Sequence, residues 1–297
     1  MAILSDKKTE GLPLQHRVRP AGSRLFDLGQ LDVRWEGATG TLWTYMTPVD
    51  RPNFNRPMLR DFQRWQAEIR REFASAEGGL KYLVLGSRFP GVFNLGGDLD
   101  LFASFIAAGD RDGLVRYGRD CVSILHSNMK RLDLPMVTIA LVEGDALGGG
   151  FEAVLSFNVV VAERHARFGL PEIAFGLFPG MGAHCLLSRK VGLAKTEEMM
   201  LSNRLYSADE MYEMGLVHVL AEPGQGEEAV RAYIARNGRR QAGHRGIYHA
   251  SSLVDPISLA ELEAVVEVWA DSALCLTDGD LKLMKRLVEA QSRLAAA

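Results

Sequence analysis

Between residues 24 and 220 the chain alternates short β-branched runs, glycine-rich turns and helix-spaced segments, and no other feature narrows the fold as much. Strands and helices that alternate in sequence build a layered α/β core. YLVL (82–85) reads as a short buried strand, followed by the glycine-rich segment 86–97 and by helical spacing from Asp98 and again over 111–130. The grammar then repeats. PMVTIALV (135–142) is a strand bounded by Pro and Gly, GDALGGG follows it, FEAVLSF reads as a helix and NVVVAE as the next strand. Leu59, Phe62, Trp65 and Ile69 give 56–74 a helical period, and 24–47 has the pattern of a β-meander. Helices are expected over 183–191, 195–202 and 207–214, the last opened by a capping serine, Ser207. Beyond Glu222 strand signals stop, and 227–237, 258–276 and 280–294 read as amphipathic helices. The expected organisation is a flexible arm (1–22), an α/β core (23–221) and a helical C-terminal region (222–297).

The 34 basic and 37 acidic side chains leave a net charge of -3, so no global field favours nucleic acid. Basic residues gather towards the C-terminus (Arg239, Arg240, Arg245, Lys282, Lys285, Arg286 and Arg293), where a solvated helix face is the plainest explanation. Cys121, Cys185 and Cys275 are far apart and form no CxxC, which points to neither a disulfide frame nor a metal site. The apolar runs fall short of the roughly 18 residues that a membrane helix needs. The first residues contain no apolar signal segment. A cytoplasmic protein without membrane insertion is expected.

Two glycine-rich turns, FNLGGDL (93–99) and GDALGGGFEA (144–153), each join a strand to a helix. Glycine lets a ligand approach the backbone, and the first turn of a helix leaves N–H groups unpaired. Two such turns that converge would offer two donors to one oxygen, the geometry of an oxyanion hole; a purely structural turn is the alternative for either one alone. Neither is a phosphate loop: GxxxxGK[ST] is absent, and no GxGxxG is followed by an acidic residue at the right distance. Glu152 and Glu172 each stand among apolar residues, where a carboxyl pKa rises towards the range useful for proton transfer. Charge stabilisation at a helix start for Glu152, and a loop cap or salt bridge for Glu172, are the structural alternatives.

In this order, FNLGGDL, GDALGGGFEA, GLPEIAFGLFPGMGA (169–183) and the Ser207–Val217 segment closely resemble the crotonase superfamily over about 24–220. The resemblance implies a spiral of repeated ββα units with a C-terminal helical region. It also implies oxyanion N–H groups from Gly97 and Gly149, and an acid/base pair in Glu152 and Glu172. Asn94 and Leu95, with the wording VFNLGGDLDLF and LVEAQSR, are similar to the bacterial diffusible-signal-factor synthases. Those members dehydrate 3-hydroxyacyl groups on acyl carrier protein to cis-2-enoyl thioesters and then hydrolyse the thioester. On this resemblance Glu172 is favoured as the base at C2 and Glu152 as the acid, with no metal or redox cofactor. Leu147, Met181 and Trp269 are candidates for an apolar acyl slot, with core packing the alternative for each, and the C-terminal basic cluster, through Arg239, Arg240 and Arg245, is a candidate surface for an acidic carrier protein. A homotrimer or hexamer and an inhibitory contact with a membrane sensor histidine kinase are further implications. The competing readings are an enoyl-CoA hydratase or isomerase of fatty acid metabolism, working on coenzyme A thioesters, and a non-catalytic binding or regulatory protein of the same fold.

Overall fold

The computed structural model describes residues 23–75 and 79–296, so the expected N-terminal arm (1–22) lies outside the described residues. The chain opens with an antiparallel hairpin, β1 (Leu31–Glu36) and β2 (Thr41–Met46). The expected meander reduces to this one hairpin. Residues 24–27 form a turn in which Asp27 N–H bonds to Arg24 O, and Gln30 N–H bonds to the Asp61 carboxylate instead of extending a strand. Asp61 lies on α1 (Arg56–Phe73), which is N-capped by Asn55 and buries Met58, Leu59, Phe62, Trp65 and Ile69. Fully burying one such side chain stabilises the fold by about 1.5–3 kcal/mol.

Three units then share one plan: a long strand, a turn, a short strand and a helical segment. The first is β3 (Tyr82–Ser87), β4 (Val92–Asn94) and α2 (Leu99–Ala108), followed by α3 (Arg111–Met129). The second is β5 (Val137–Val142), β6 (Asp145–Leu147) and α4 (Gly149–Leu155). The third is β7 (Val159–Glu163), β8 (Arg167–Gly169) and a 3-10 turn, Pro171–Phe175, leading to α5 (Ala183–Val191) and α6 (Leu193–Leu201). After them come β9 (Leu205–Ser207), α7 (Ala208–Glu213) and β10 (Val219–Ala221).

The long strands form a sheet of order β1-β2-β3-β5-β7-β10, parallel from β2 onwards. The short ones form a second sheet of order β4-β6-β8-β9, in which β4, β6 and β8 are parallel. Because β4, β6 and β8 lie side by side, the segments that leave their C-terminal ends start next to one another. That alignment builds the site.

Both faces of the larger sheet are buried, which is why its strands read as continuous apolar runs. Leu83, Leu85, Ala140 and Val142 face the main core with α1 and α3. Val84, Ile139, Leu141 and Val161 face α8 (Gly226–Asn237) through Val230, Tyr233 and Ile234. The helices after residue 222 therefore share the core of the α/β part. α10 (Leu259–Leu274) runs along α3, where a Cβ on Gly118 would stand 2.5 Å from Val266 Cγ1, and it carries Trp269 into the main core. α11 (Asp278–Ala296) packs on α2 and on the 3-10 turn. Between α8 and α10, sequence reasoning missed a helix, α9 (Gln241–Val254), which has no buried residue and no side-chain N-cap. No helix of the described residues is long and apolar enough to cross a membrane.

Candidate active site

The first unit supplies the turn at Gly96–Gly97. Leu95 N–H bonds to Pro52 O (2.7 Å), Gly96 N–H to Asn94 Oδ1 (2.7 Å), and Gly96 O accepts from Phe54 N–H (2.8 Å). The Tyr117 hydroxyl donates to Phe54 O (2.6 Å) and accepts from Asp98 N–H (3.2 Å), while Asp98 caps α2. The turn is thus tied down on all sides except at Gly97, whose N–H has no protein acceptor among the described residues.

The second unit supplies Gly148, Gly149 and Gly150, and each of them is glycine for a different reason. Gly148 has φ of 52°, and a Cβ there would stand 2.6 Å from Glu172 Oε1. On Gly149 a Cβ would meet Met181 Sδ at 2.6 Å and the Cα of Gly96 at 3.3 Å. On Gly150 it would stand 2.0 Å from Asn94 O. The two glycine turns are therefore in backbone contact, as a Cβ on Gly96 would also lie 2.7 Å from Gly149 N. Gly149 is the first residue of α4, and its N–H, like that of Gly97, has no acceptor among the described residues.

Glu152 lies in the first turn of α4 and is fully buried. Its Oε1 accepts from Met181 N–H (2.9 Å) and Ala183 N–H (2.8 Å), the entry to α5. Burial raises its pKa and these two donors oppose the rise. Glu172 comes from the third unit, on the 3-10 turn beyond β8. The residue as a whole is half-buried, yet its Oε2 has neither solvent access nor a hydrogen-bond partner. Burial raises its pKa, and the neighbouring Glu152 raises it further. The two carboxyls form a coupled pair that resists double ionisation. Two backbone donors favour the charge on Glu152, whereas Glu172 Oε2 has no donor.

Gly97, Gly149, Glu152 and Glu172 line one cavity of about 300 Å³, together with Leu147, Met181 and Trp269. The structure thus brings together the seven candidate site residues named from the sequence. Trp269 lies against Gly180, where a Cβ would stand 2.4 Å from the indole, and continues through Phe102 to Tyr117 with ring centroids 5.0 Å apart in each step. This aromatic wall and Leu177 make much of the cavity apolar, with the two carboxyls, the two N–H groups, the Asp145–Arg167 pair and Gln291 as its polar groups. Among the described residues no group of His, Cys, Asp or Glu side chains is arranged to hold a metal ion.

A family model described as enoyl-CoA hydratase/isomerase matches residues 58–245. The chain belongs to that family. A probable mitochondrial enoyl-CoA hydratase 2 of Arabidopsis thaliana is 30% identical over 181 residues, covering 61% of this chain and 56% of that protein. The chain spans little more than half, or less, of the length of the curated relatives it matches. Among solved structures, DspI of Pseudomonas aeruginosa superposes with a TM-score of 0.68 at 26% identity, over 81% of this chain and 93% of that one. An enoyl-CoA hydratase/isomerase of Xanthobacter autotrophicus Py2 superposes with a TM-score of 0.70 at 20% identity, over 91% and 96%. The crotonase fold expected from the motifs is the fold observed.

Several cavity residues gave no signal in the sequence. Tyr117 and Phe102 read as ordinary helix positions, and only the fold sets them behind the first glycine turn. Asp145 and Arg167 pair at 2.6 Å where β6 and β8 begin, at the edge of the cavity. Gln291 on α11 lines the cavity with Oε1 buried and unpartnered. Its position, far along the chain in an otherwise amphipathic helix, hides it from any motif.

Proposed function

We propose that this chain converts a 3-hydroxyacyl group carried on acyl carrier protein into a free cis-2-unsaturated fatty acid that acts as a diffusible signal, through dehydration followed by thioester hydrolysis at one site. The observation that carries this reading is the pair of buried carboxyls lining one cavity beside two unpaired N–H groups. The thioester oxygen lies between the N–H groups of Gly97 and Gly149, and the loss of one such donor raises a barrier by about 3–4 kcal/mol. In the first step ionised Glu172 takes the C2 proton, the C2–C3 double bond forms, the C3–O bond breaks, and the proton on Glu152 leaves with the hydroxyl as water. Glu152 is then ionised and Glu172 protonated. That is the state in which a second step begins: Glu152 takes a proton from water, the hydroxide adds to the thioester carbon, and the oxyanion occupies the same hole. Collapse breaks the C–S bond, and Glu172 protonates the departing thiolate. The pair returns to its starting protonation, so one site closes both reactions without an external acid or base. The apolar walls suit a medium-length acyl tail, and the likeness of Asn94, Leu95 and the flanking wording to signal-factor synthases supports the same assignment.

One observation favours a second reading. The two backbone donors on Glu152 favour its ionised form, from which water adds to a trans-2-enoyl thioester with Glu152 activating the water and Glu172 protonating C2. Matches to enoyl-CoA hydratases point the same way. Mass spectrometry of the products separates the readings: free cis-2 acid from 3-hydroxyacyl carrier protein supports the signal synthase. Reversible hydration of trans-2-enoyl-CoA with no free acid supports the hydratase instead. Cells whose signalling stays intact with Glu152→Ala would sink both and leave a non-catalytic binding protein.

A further inference from the structure

The C-terminal basic residues read as one cluster in the sequence, but the fold divides them. Arg239, Arg240 and Arg245 accompany α9, which is fastened where the long strands begin: Gln241 bonds to Lys81 O (3.2 Å), ahead of β3, and Arg131 bonds to Tyr248 O (3.3 Å), ahead of β5. The catalytic turns lie beyond the opposite ends of those strands, a strand length of roughly 20 Å away. Lys282, Lys285, Arg286 and Arg293 are instead on α11, whose inner face supplies Leu287, Ala290 and Gln291 to the cavity wall. These four cations are exposed. Among the described residues none forms a salt bridge, whereas Arg51, Arg111, Arg167 and Arg189 are all paired. Glu289 is the one acidic residue among them on the exposed face, and Asp278 and Asp280 are confined to the helix start.

We infer that the outer face of α11 is the docking surface for an acidic acyl carrier protein, while Gln291 on its inner face receives an amide N–H of the pantetheine arm. The inference rests on the carrier-protein reading above. A carrier-borne thioester must reach a buried oxyanion site while the carrier stays outside, so the carrier binds at the rim, on an element that faces both ways. α11 meets that requirement: its helical period sends Leu287, Ala290 and Gln291 inward and Lys282, Lys285 and Arg286 outward. Unpaired cations attract an acidic partner without first breaking internal ion pairs. The buried Gln291 Oε1 is an acceptor that leaves one hydrogen bond to be made by whatever enters.

The test compares one 3-hydroxyacyl group carried by a purified bacterial acyl carrier protein or by N-acetylcysteamine. The triple variant Lys282→Glu, Lys285→Glu, Arg286→Glu is expected to raise KM for the carrier-borne substrate about tenfold or more. It should leave kcat and the kinetics of the small thioester unchanged. Added salt should raise the carrier KM of the parent but not of the triple variant. Gln291→Leu is expected to raise KM for both substrates, and reversal of Arg239, Arg240 and Arg245 for neither. The milder Lys282→Gln, Lys285→Gln, Arg286→Gln variant should move in the same direction, with a thermal melt that matches the parent. A carrier preference by the parent that the triple variant retains overturns the docking surface alone. A triple variant impaired only towards a coenzyme A thioester also overturns it, because the face then reads nucleotide phosphates. A parent that turns over the small thioester with no preference for the carrier overturns the carrier-protein reading itself, and the docking surface with it.

Discussion

Glu172 and Glu152 cost the fold stability when they ionise. Burial pushes the two carboxyls up to about 8 and about 7, against an ordinary value of 4.5 in the unfolded chain. The folded state thus holds these protons more tightly. The stability this contributes is complete below 4.5 and drains away as pH rises through the folded values, in a window from about 4.5 to about 8. Glu172→Gln removes one of these titrations without changing the shape of the side chain. Its melting temperature is expected to match the parent at pH 4 and to exceed it at pH 8.5, while turnover falls about 10²–10⁴-fold. Melting below the parent at pH 8.5 would mean that Glu172 acts as a stabilising ion and not as a buried acid. Met181 invites a different substitution. It separates the main cavity from a second one of about 30 Å³ lined by Phe62, Leu85, Cys121 and Leu125. Met181→Ala keeps the backbone N–H that holds Glu152 and joins the two spaces. It should cost about 2–5 kcal/mol of stability. The acyl products should shift to longer chains by mass spectrometry, and an unchanged distribution would rule out the space behind Met181 as tail room.

The site is made by the shortest elements in the fold. β4, β6 and β8 have three residues each, and their parallel pairing sets Gly97, Gly149 and Glu172 around one space. Gly148→Ala and Gly150→Ala probe this arrangement differently. At Gly148 the left-handed backbone costs an alanine about 1–2 kcal/mol. The new methyl also pushes the flexible Glu172 carboxylate aside, so a folded protein with turnover reduced about 10²-fold is expected. At Gly150 the methyl meets the backbone carbonyl of Asn94, which cannot step aside, so circular dichroism should report a broad loss of folding. Equal damage from both substitutions would contradict the distinction. These short strands also mark where the sequence stopped being legible. α1, α3, α8, α10 and α11 are long enough to show an apolar stripe, and β3, β5 and β7 to show a β-branched run. Three residues carry no period, so β6, β8 and β9 went unseen, although the glycines and glutamates next to them were read from their motifs. Tyr117 and Gln291 stayed hidden for another reason: each acquires its role by meeting residues tens to hundreds of positions away, which no local pattern encodes.

At the scale of the whole molecule, several large apolar side chains are left exposed. Leu193 and Leu201 on α6, Leu205 on β9, Tyr212 on α7 and Ile173 beside Glu172 are all exposed. The elements that carry them adjoin one another: α6 touches the 3-10 turn of Ile173, and β9 lies between α6 and α7 in the chain. β9 is also the edge of its sheet. Where exposed apolar side chains gather on one side of a globular protein they mark a candidate interface. We propose that the homo-oligomer expected from the family resemblance uses these residues, which would place a second copy over Ile173. Water would then be excluded from the side of Glu172 that the chain alone leaves half-open, raising the penalty on its charge. Leu201→Glu with Leu205→Glu inserts two charges into this surface without touching the cavity. Light scattering should report a fall to the monomer mass, against a trimer or hexamer for the parent. Turnover should fall with it, and the pH–rate profile should move towards lower pH as Glu172 regains water. An oligomer of unchanged mass would assign the flank to another partner. A monomer with the parent's pH profile would mean that the three aligned units of one chain already complete the site.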